Sequence, residues 1–132
     1  MKIPLIDSGK LLLVMKKILV AVDGSEFSKV GFDRSLAEAQ ELGNKLVILR
    51  VVRTYEEVLG GDIPGALGRE IEKAEQFTEE LKEEARGKGV EAEAEVITGT
   101  DVATEIVKYA DKEDCDVIVV GSRGKTDLET IH

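Results

Sequence analysis

Asp116-Val-Ile-Val-Val-Gly-Ser-Arg-Gly-Lys-Thr126 is the stretch on which the reading of this chain turns. Val117 to Val120 carry no polar alternation, so they read as a strand covered on both faces, the pattern of a parallel sheet. The loop after such a strand lies at the sheet's carboxyl edge. There Gly121 and Gly124 permit close approach of backbone to a ligand, and a helix starting near Thr126 would aim free N–H groups back at the loop. That is a phosphate-receiving arrangement.

The same kind of strand recurs upstream. Ile18 to Val22 is apolar throughout and breaks at Asp23-Gly24-Ser25, where Ser25 suits the N-cap of a helix with Phe32, Leu36, Ala39 and Leu42 on its inner face. Gly43-Asn44 ends that helix, and Leu46 to Val52 is a second buried strand with Val51 at its carboxyl end. Tyr55 to Ala66 is a glycine-containing loop long enough to form a lid. A helix from about Leu67 to Ala85 turns Ile71, Ala74, Phe77, Leu81 and Ala85 inward and its glutamates outward. Glu91 to Ile97 alternates charged and apolar residues as an edge strand does, and a further helix buries Val102, Ile106 and Ala110. The resulting β-α-β-α-β-α-β series calls for an α/β fold: an open, doubly wound, Rossmann-like parallel sheet with helices on both faces.

At 132 residues the chain holds one domain, and no apolar run approaches the roughly 18 residues of a membrane helix, so a membrane span is not expected. A net charge of −9 disfavours nucleic-acid binding, which draws on clustered lysine and arginine. The single cysteine, Cys115, allows no internal disulfide and fits a reducing cytoplasm as a small apolar residue before a strand. Met1 to Val14 contains only a four-residue apolar patch, too short for a signal-peptide core, and is set apart as an N-terminal extension to a domain at 15–132.

In open α/β sheets ligands bind beyond the carboxyl ends of the strands, where strand order reverses. The loops Asp23-Gly24-Ser25 and Gly121-Ser122-Arg123-Gly124 are then neighbours in one crevice. Gly124-Lys125-Thr126 is not a P-loop, because position 119 is Val where that motif needs glycine. A dinucleotide fingerprint fails as well, with Gly24 alone in the first turn. His132 is the sole histidine, so neither a catalytic triad nor a histidine metal site can be assembled. Plainer roles stand beside each candidate: Asp23 as a turn former, Ser25 as a cap, the glycines as turn residues, Arg123 and Lys125 as solvated charges.

Three segments together resemble the universal stress protein family: Lys-Lys-Ile-Leu-Val-Ala-Val-Asp-Gly-Ser-Glu at 16–26, Val-Ile-Leu-Arg-Val at 47–51, and Asp-Val-Ile-Val-Val-Gly-Ser-Arg-Gly-Lys-Thr-Asp-Leu at 116–128. The resemblance covers nearly all of Met15 to His132. It implies an adenine nucleotide alpha hydrolase-like domain, often a homodimer, that holds ATP, with or without Mg²⁺, between the first and fourth strands. In this sequence the implied site comprises Ala21 and Val120 at the strand ends, Asp23 near the nucleotide or its metal, and Val51, whose backbone meets adenine. Gly121, Ser122, Arg123, Gly124 and Lys125 would lie at the phosphates. Gly121 and Gly124 match the first two glycines of the family's G-x2-G-x9-G-[S/T] motif, whose third glycine would fall beyond His132.

The family's fifth strand is missing too, so the chain reads as C-terminally truncated, with an exposed apolar edge on the fourth strand that Lys10 to Val14 is able to cover, in its own chain or in a neighbour's. The implied function is a cytoplasmic ATP-binding protein acting in stress response or signalling through dimer or partner contacts, with at most slow ATP hydrolysis. The alternative is a dimerisation or scaffold module of the same fold that binds no nucleotide.

Overall fold

The computed structural model describes residues 5–7, 10–12, 15–54, 65–121 and 129–131. Its centre is a sheet whose four parallel strands are β3 (Lys17–Ala21), β4 (Lys45–Arg53), β5 (Ala92–Gly99) and β6 (Val117–Val120). Strand order is β5-β4-β3-β6, so the chain steps outward from β3 to β5 and returns to the other side for β6. That reversal beside β3 is the switch point of a doubly wound sheet.

Helices cover both faces, as the strand–helix alternation requires. On one face α1 (Glu26–Leu42) and α2 (Ala66–Gly87) pack Phe32, Leu36, Ala39, Leu81 and Ala85 against Ile18, Val20, Leu46 and Ile48. On the other, α3 (Val102–Lys112) lays Ile106 and Ala110 against Leu19, Ala21, Leu49, Val51 and Ile118. Successive residues of β3 serve opposite clusters, which is why these strands show no polar alternation. Ser25 caps α1 by accepting from the Ser28 N–H at 3.2 Å, and Gly43 closes it with its N–H on the Ala39 carbonyl at 2.8 Å. Leu42 departs from its expected inward position and is 44% exposed at the last residue of α1, although Ala39 one turn earlier is buried.

β5 lies at one edge of the sheet, as its charged alternation implies. The opposite edge corrects two expectations. No fifth parallel strand occurs among the described residues, yet β6 is not bare: β7 (Glu129–Ile131) pairs with it antiparallel, Ile118 opposite Ile131 and Val120 opposite Glu129. The helix expected from Thr126 therefore does not extend through 129–131. Nor do the described residues of the N-terminal segment pair with β6 of their own chain; β2 (Lys10–Leu12) pairs instead with β1 (Leu5–Asp7) in a separate two-stranded sheet. Only Ser8 and Gly9 separate those two strands in sequence, so the local pairing closes a far shorter loop.

Phe32 is fully buried between α1 and the sheet. Phe32→Ala is expected to cost about 3–5 kcal/mol in urea unfolding; a loss under about 1 kcal/mol would contradict this packing.

Candidate functional site

The parallel pairing of β3 with β6 sets Ala21 beside Val120 and so brings the two candidate loops together. β4 outruns β3. Its last partner pair with β3 is Leu49 and Ala21, closed by the Val22 N–H on the Leu49 carbonyl at 2.9 Å, while its pairing with β5 continues to Arg53 and Gly99. Hydrogen-bonding groups alternate sides along a strand, so Val51 turns its amide and carbonyl the same way as Leu49, past the point where β3 ends. The Val51 backbone thus faces an opening rather than a strand.

A cavity of about 90 Å³ lies in that opening. Ala21, Asp23, Val51, Val120 and Gly121, all five expected site residues that lie among the described ones, line it together, and Val102 and Ile106 of α3 wall it on the apolar side. It adjoins a wider cavity of about 340 Å³ that shares Arg50, Val51 and Val102 and adds Arg53, Leu67 and Glu70. Ser122, Arg123, Gly124 and Lys125 fall outside the described residues, as does the loop at 55–64.

Asp23 is held by the turn it forms. Gly24 takes a left-handed conformation with φ of 87°, which bends the chain so that the Ser25 N–H donates to Asp23 Oδ1 at 2.9 Å. The Asp23 N–H in turn donates to Ser28 Oγ at 3.2 Å, and the buried Ser28 hydroxyl donates to the Ser25 carbonyl at 3.0 Å. Partial burial pushes the carboxyl up, but the polar contacts of Ser25 and Ser28 and the Arg50 charge together outweigh it. The group lies below its ordinary value of 3.8 and is ionised at neutral pH.

Gly121 answers to packing. A Cβ there would collide with the Phe27 carbonyl oxygen and come within 2.8 Å of its carbon and 3.0 Å of Ser28 Cα. The first turn of α1 therefore rests directly on the end of β6, which carries the positive end of a 17-residue helix to the mouth of the cleft.

Arg50 escaped the reading of the sequence. It lines both cavities, donates from Nη1 to the Val51 carbonyl at 2.7 Å, and stands with Nη2 3.8 Å from Glu70 Oε2. A signal was present: Arg50 is the one charged residue inside the apolar run Leu46 to Val52. Among the described residues no group of three or more histidine, cysteine, aspartate or glutamate side chains is placed to hold a metal ion. The cleft thus offers backbone hydrogen-bonding groups, apolar walls and an ionised carboxylate, which suit recognition of a flat polar heterocycle better than acid–base chemistry. Cys115 packs against the α3 cluster, and burial pushes its thiol up from the usual value, away from a reactive thiolate. No described helix is long and apolar enough to cross a membrane.

Gly121→Ala is expected to lower stability by about 1–3 kcal/mol in urea unfolding, since the first turn of α1 must move; unchanged stability would show that the contact yields freely. Asp23 gives a pH signature. Its folded value is depressed, so its contribution is present above 3.8 and disappears as pH falls below that value. Asp23→Ala should therefore melt lower than wild type at pH 7, with the gap narrowing as pH falls below 3.8. A gap that persists in acid would contradict the assignment.

The sequence model of the universal stress protein family matches residues 15–131. A universal stress protein of Methanocaldococcus jannaschii is 32% identical over 119 residues, which span 88% of this chain and 69% of that protein. One from Bacillus subtilis is 33% identical over 126 residues, 88% of this chain and 84% of its own. Among solved structures, a family member from Burkholderia pseudomallei, 24% identical, shares the fold with a TM-score of 0.74 over 81% of each chain. So do the Archaeoglobus fulgidus protein in complex with dAMP, 20% identical, with a TM-score of 0.61 over 82% of this chain and 81% of that one, and an Arabidopsis thaliana protein with AMP bound, 23% identical, with a TM-score of 0.64 over 83% and 78%. With its sheet order, its switch-point cleft and these likenesses, the chain belongs to the universal stress protein family.

Proposed function

We propose that this protein binds an adenine nucleotide, ATP, at the carboxyl ends of β3, β4 and β6. The observation that carries the reading is the single cavity lined at once by Ala21, Asp23, Val51, Val120 and Gly121. The base would lie in the opening beyond β3, its polar edge on the Val51 backbone and its faces against Val102 and Ile106. Asp23 would face the ribose or a nucleotide-borne cation. The phosphates would run toward Gly121, Ser122, Arg123, Gly124 and Lys125, near the N-terminus of α1.

Size bears on this fit. Ligand sites of this class hold about 300–1,000 Å³, so the inner cavity of about 90 Å³ takes only part of the molecule and the adjoining 340 Å³ must take the rest. A Mg²⁺ ion would arrive with the phosphates, since the described residues supply no cluster for it. The AMP and dAMP complexes of the related folds support an adenine ligand. The role proposed with it is that of a cytoplasmic homodimer acting in stress response or signalling, its contacts altered by nucleotide, with ATP hydrolysis slow at most. The narrow inner cavity favours the second reading, a scaffold of this fold that binds no nucleotide.

Calorimetric titration with ATP and Mg²⁺ tests the proposal. Saturable one-to-one binding with a Kd of about 1 mM or tighter is expected, weakened at least about tenfold in Val102→Trp, which fills the cleft from its outer wall. Absence of saturable binding by the wild type at millimolar ATP would overturn the nucleotide reading in favour of the scaffold.

A further inference from the structure

Arg50 stands where the two cavities meet, 20% exposed, its guanidinium on the Val51 carbonyl at 2.7 Å and its other arm 3.8 Å from Glu70 of α2. A guanidinium has five N–H donors and no acceptor, so among the described residues these two contacts leave donors to spare beside the carbonyl. The base edge of the proposed site is then not the strand backbone alone. It is a row: the amide of Val51, its carbonyl, and the N–H groups of Arg50.

We infer that Arg50 is a specificity-determining residue that lets the site accept 6-oxopurine nucleotides, of the hypoxanthine and guanine class, beside adenine. The inference rests on the proposal that the base meets the Val51 backbone. Adenine presents an N6 amino donor and an N1 acceptor, which match the Val51 carbonyl and amide without help. A 6-oxopurine presents the reverse order, an O6 acceptor and an N1–H donor. Against the backbone alone it would set oxygen on oxygen and N–H on N–H, and sites that leave such groups unpaired reject the ligand strongly. Moved one place along the row, the same base donates N1–H to the Val51 carbonyl and receives an Arg50 N–H on O6. The ion pair with Glu70 is long for a strong bond, so the Val51 carbonyl is the contact that fixes the guanidinium in this row.

Calorimetric titration of wild type, Arg50→Met and Arg50→Lys with ATP and with ITP, whose bases differ in the 6-substituent and the N1 proton, tests this. Wild type is expected to bind the two within about tenfold of each other. In Arg50→Met the affinity for ITP should fall at least about tenfold more than that for ATP, the value of one charge-assisted hydrogen bond. Arg50→Lys keeps the charge but not the planar fork, so it should fall between, and it carries the comparison if the methionine variant melts too low to titrate. Wild type rejecting ITP by about a hundredfold or more, or equal losses for both nucleotides in the variants, would overturn the inference while leaving nucleotide binding intact. Failure of wild type to bind either nucleotide would overturn the underlying reading and this inference with it.

Discussion

The cleft exists because β4 is longer than the strand beside it. β3 contributes five residues and β4 nine, and the four residues from Arg50 to Arg53 have a paired strand on the β5 side and, among the described residues, none on the β3 side. An unpaired strand edge ordinarily invites pairing or must be covered. Here the overhang is walled by α3 on one face and meets α2 through Glu70 on the other, so its exposed peptide groups open into a sheltered space. Shortening β4 to match β3 would remove that space, and the buried Val51 and Val52 with it, while leaving the core around Phe32, Leu46 and Ile48 in place.

The outer edges of the sheet are handled by different means. β5 carries Glu93 and Glu95 as exposed side chains, and Lys45 of the adjacent β4 binds Glu93 at 2.9 Å and Glu91 at 3.6 Å. Such exposed pairs add little stability, but charge along an edge opposes pairing with another copy. On the far side β6 is short, apolar and capped by antiparallel β7, so its peptide groups are used within the chain.

Much of this was legible in the sequence, and the reasons are physical. Strands buried on both faces have to be apolar at every position, so β3, β4 and β6 announce themselves, and their alternation with amphipathic helices leaves few topologies. The loops at Asp23 and Gly121 were singled out by the rule that parallel sheets bind at their carboxyl ends, whereas Val51 was marked only by the resemblance to the universal stress protein family. Arg50 was marked by neither, because its meaning depends on which carbonyl its side chain reaches, and composition is silent on that. Gly121 was assigned to ligand approach, whereas the structure gives it a second demand, the Phe27 backbone pressed against it. The strand at Glu129–Ile131 was hidden because three residues carry no periodicity, and Leu42 fits the helical apolar stripe of α1 yet ends exposed at its last residue.

The central claim is that the space beyond the end of β3 receives a nucleotide base. The most direct measurement is the change in backbone amide resonances as ATP is added to isotopically labelled protein. A base seated there should place the largest shifts together on Asp23, Val51, Val102 and Gly121, which lie on four different segments and share only the cleft. Shifts confined to the groove between β5 and α3, around Glu95 and Lys108, or spread evenly over the surface, would contradict it.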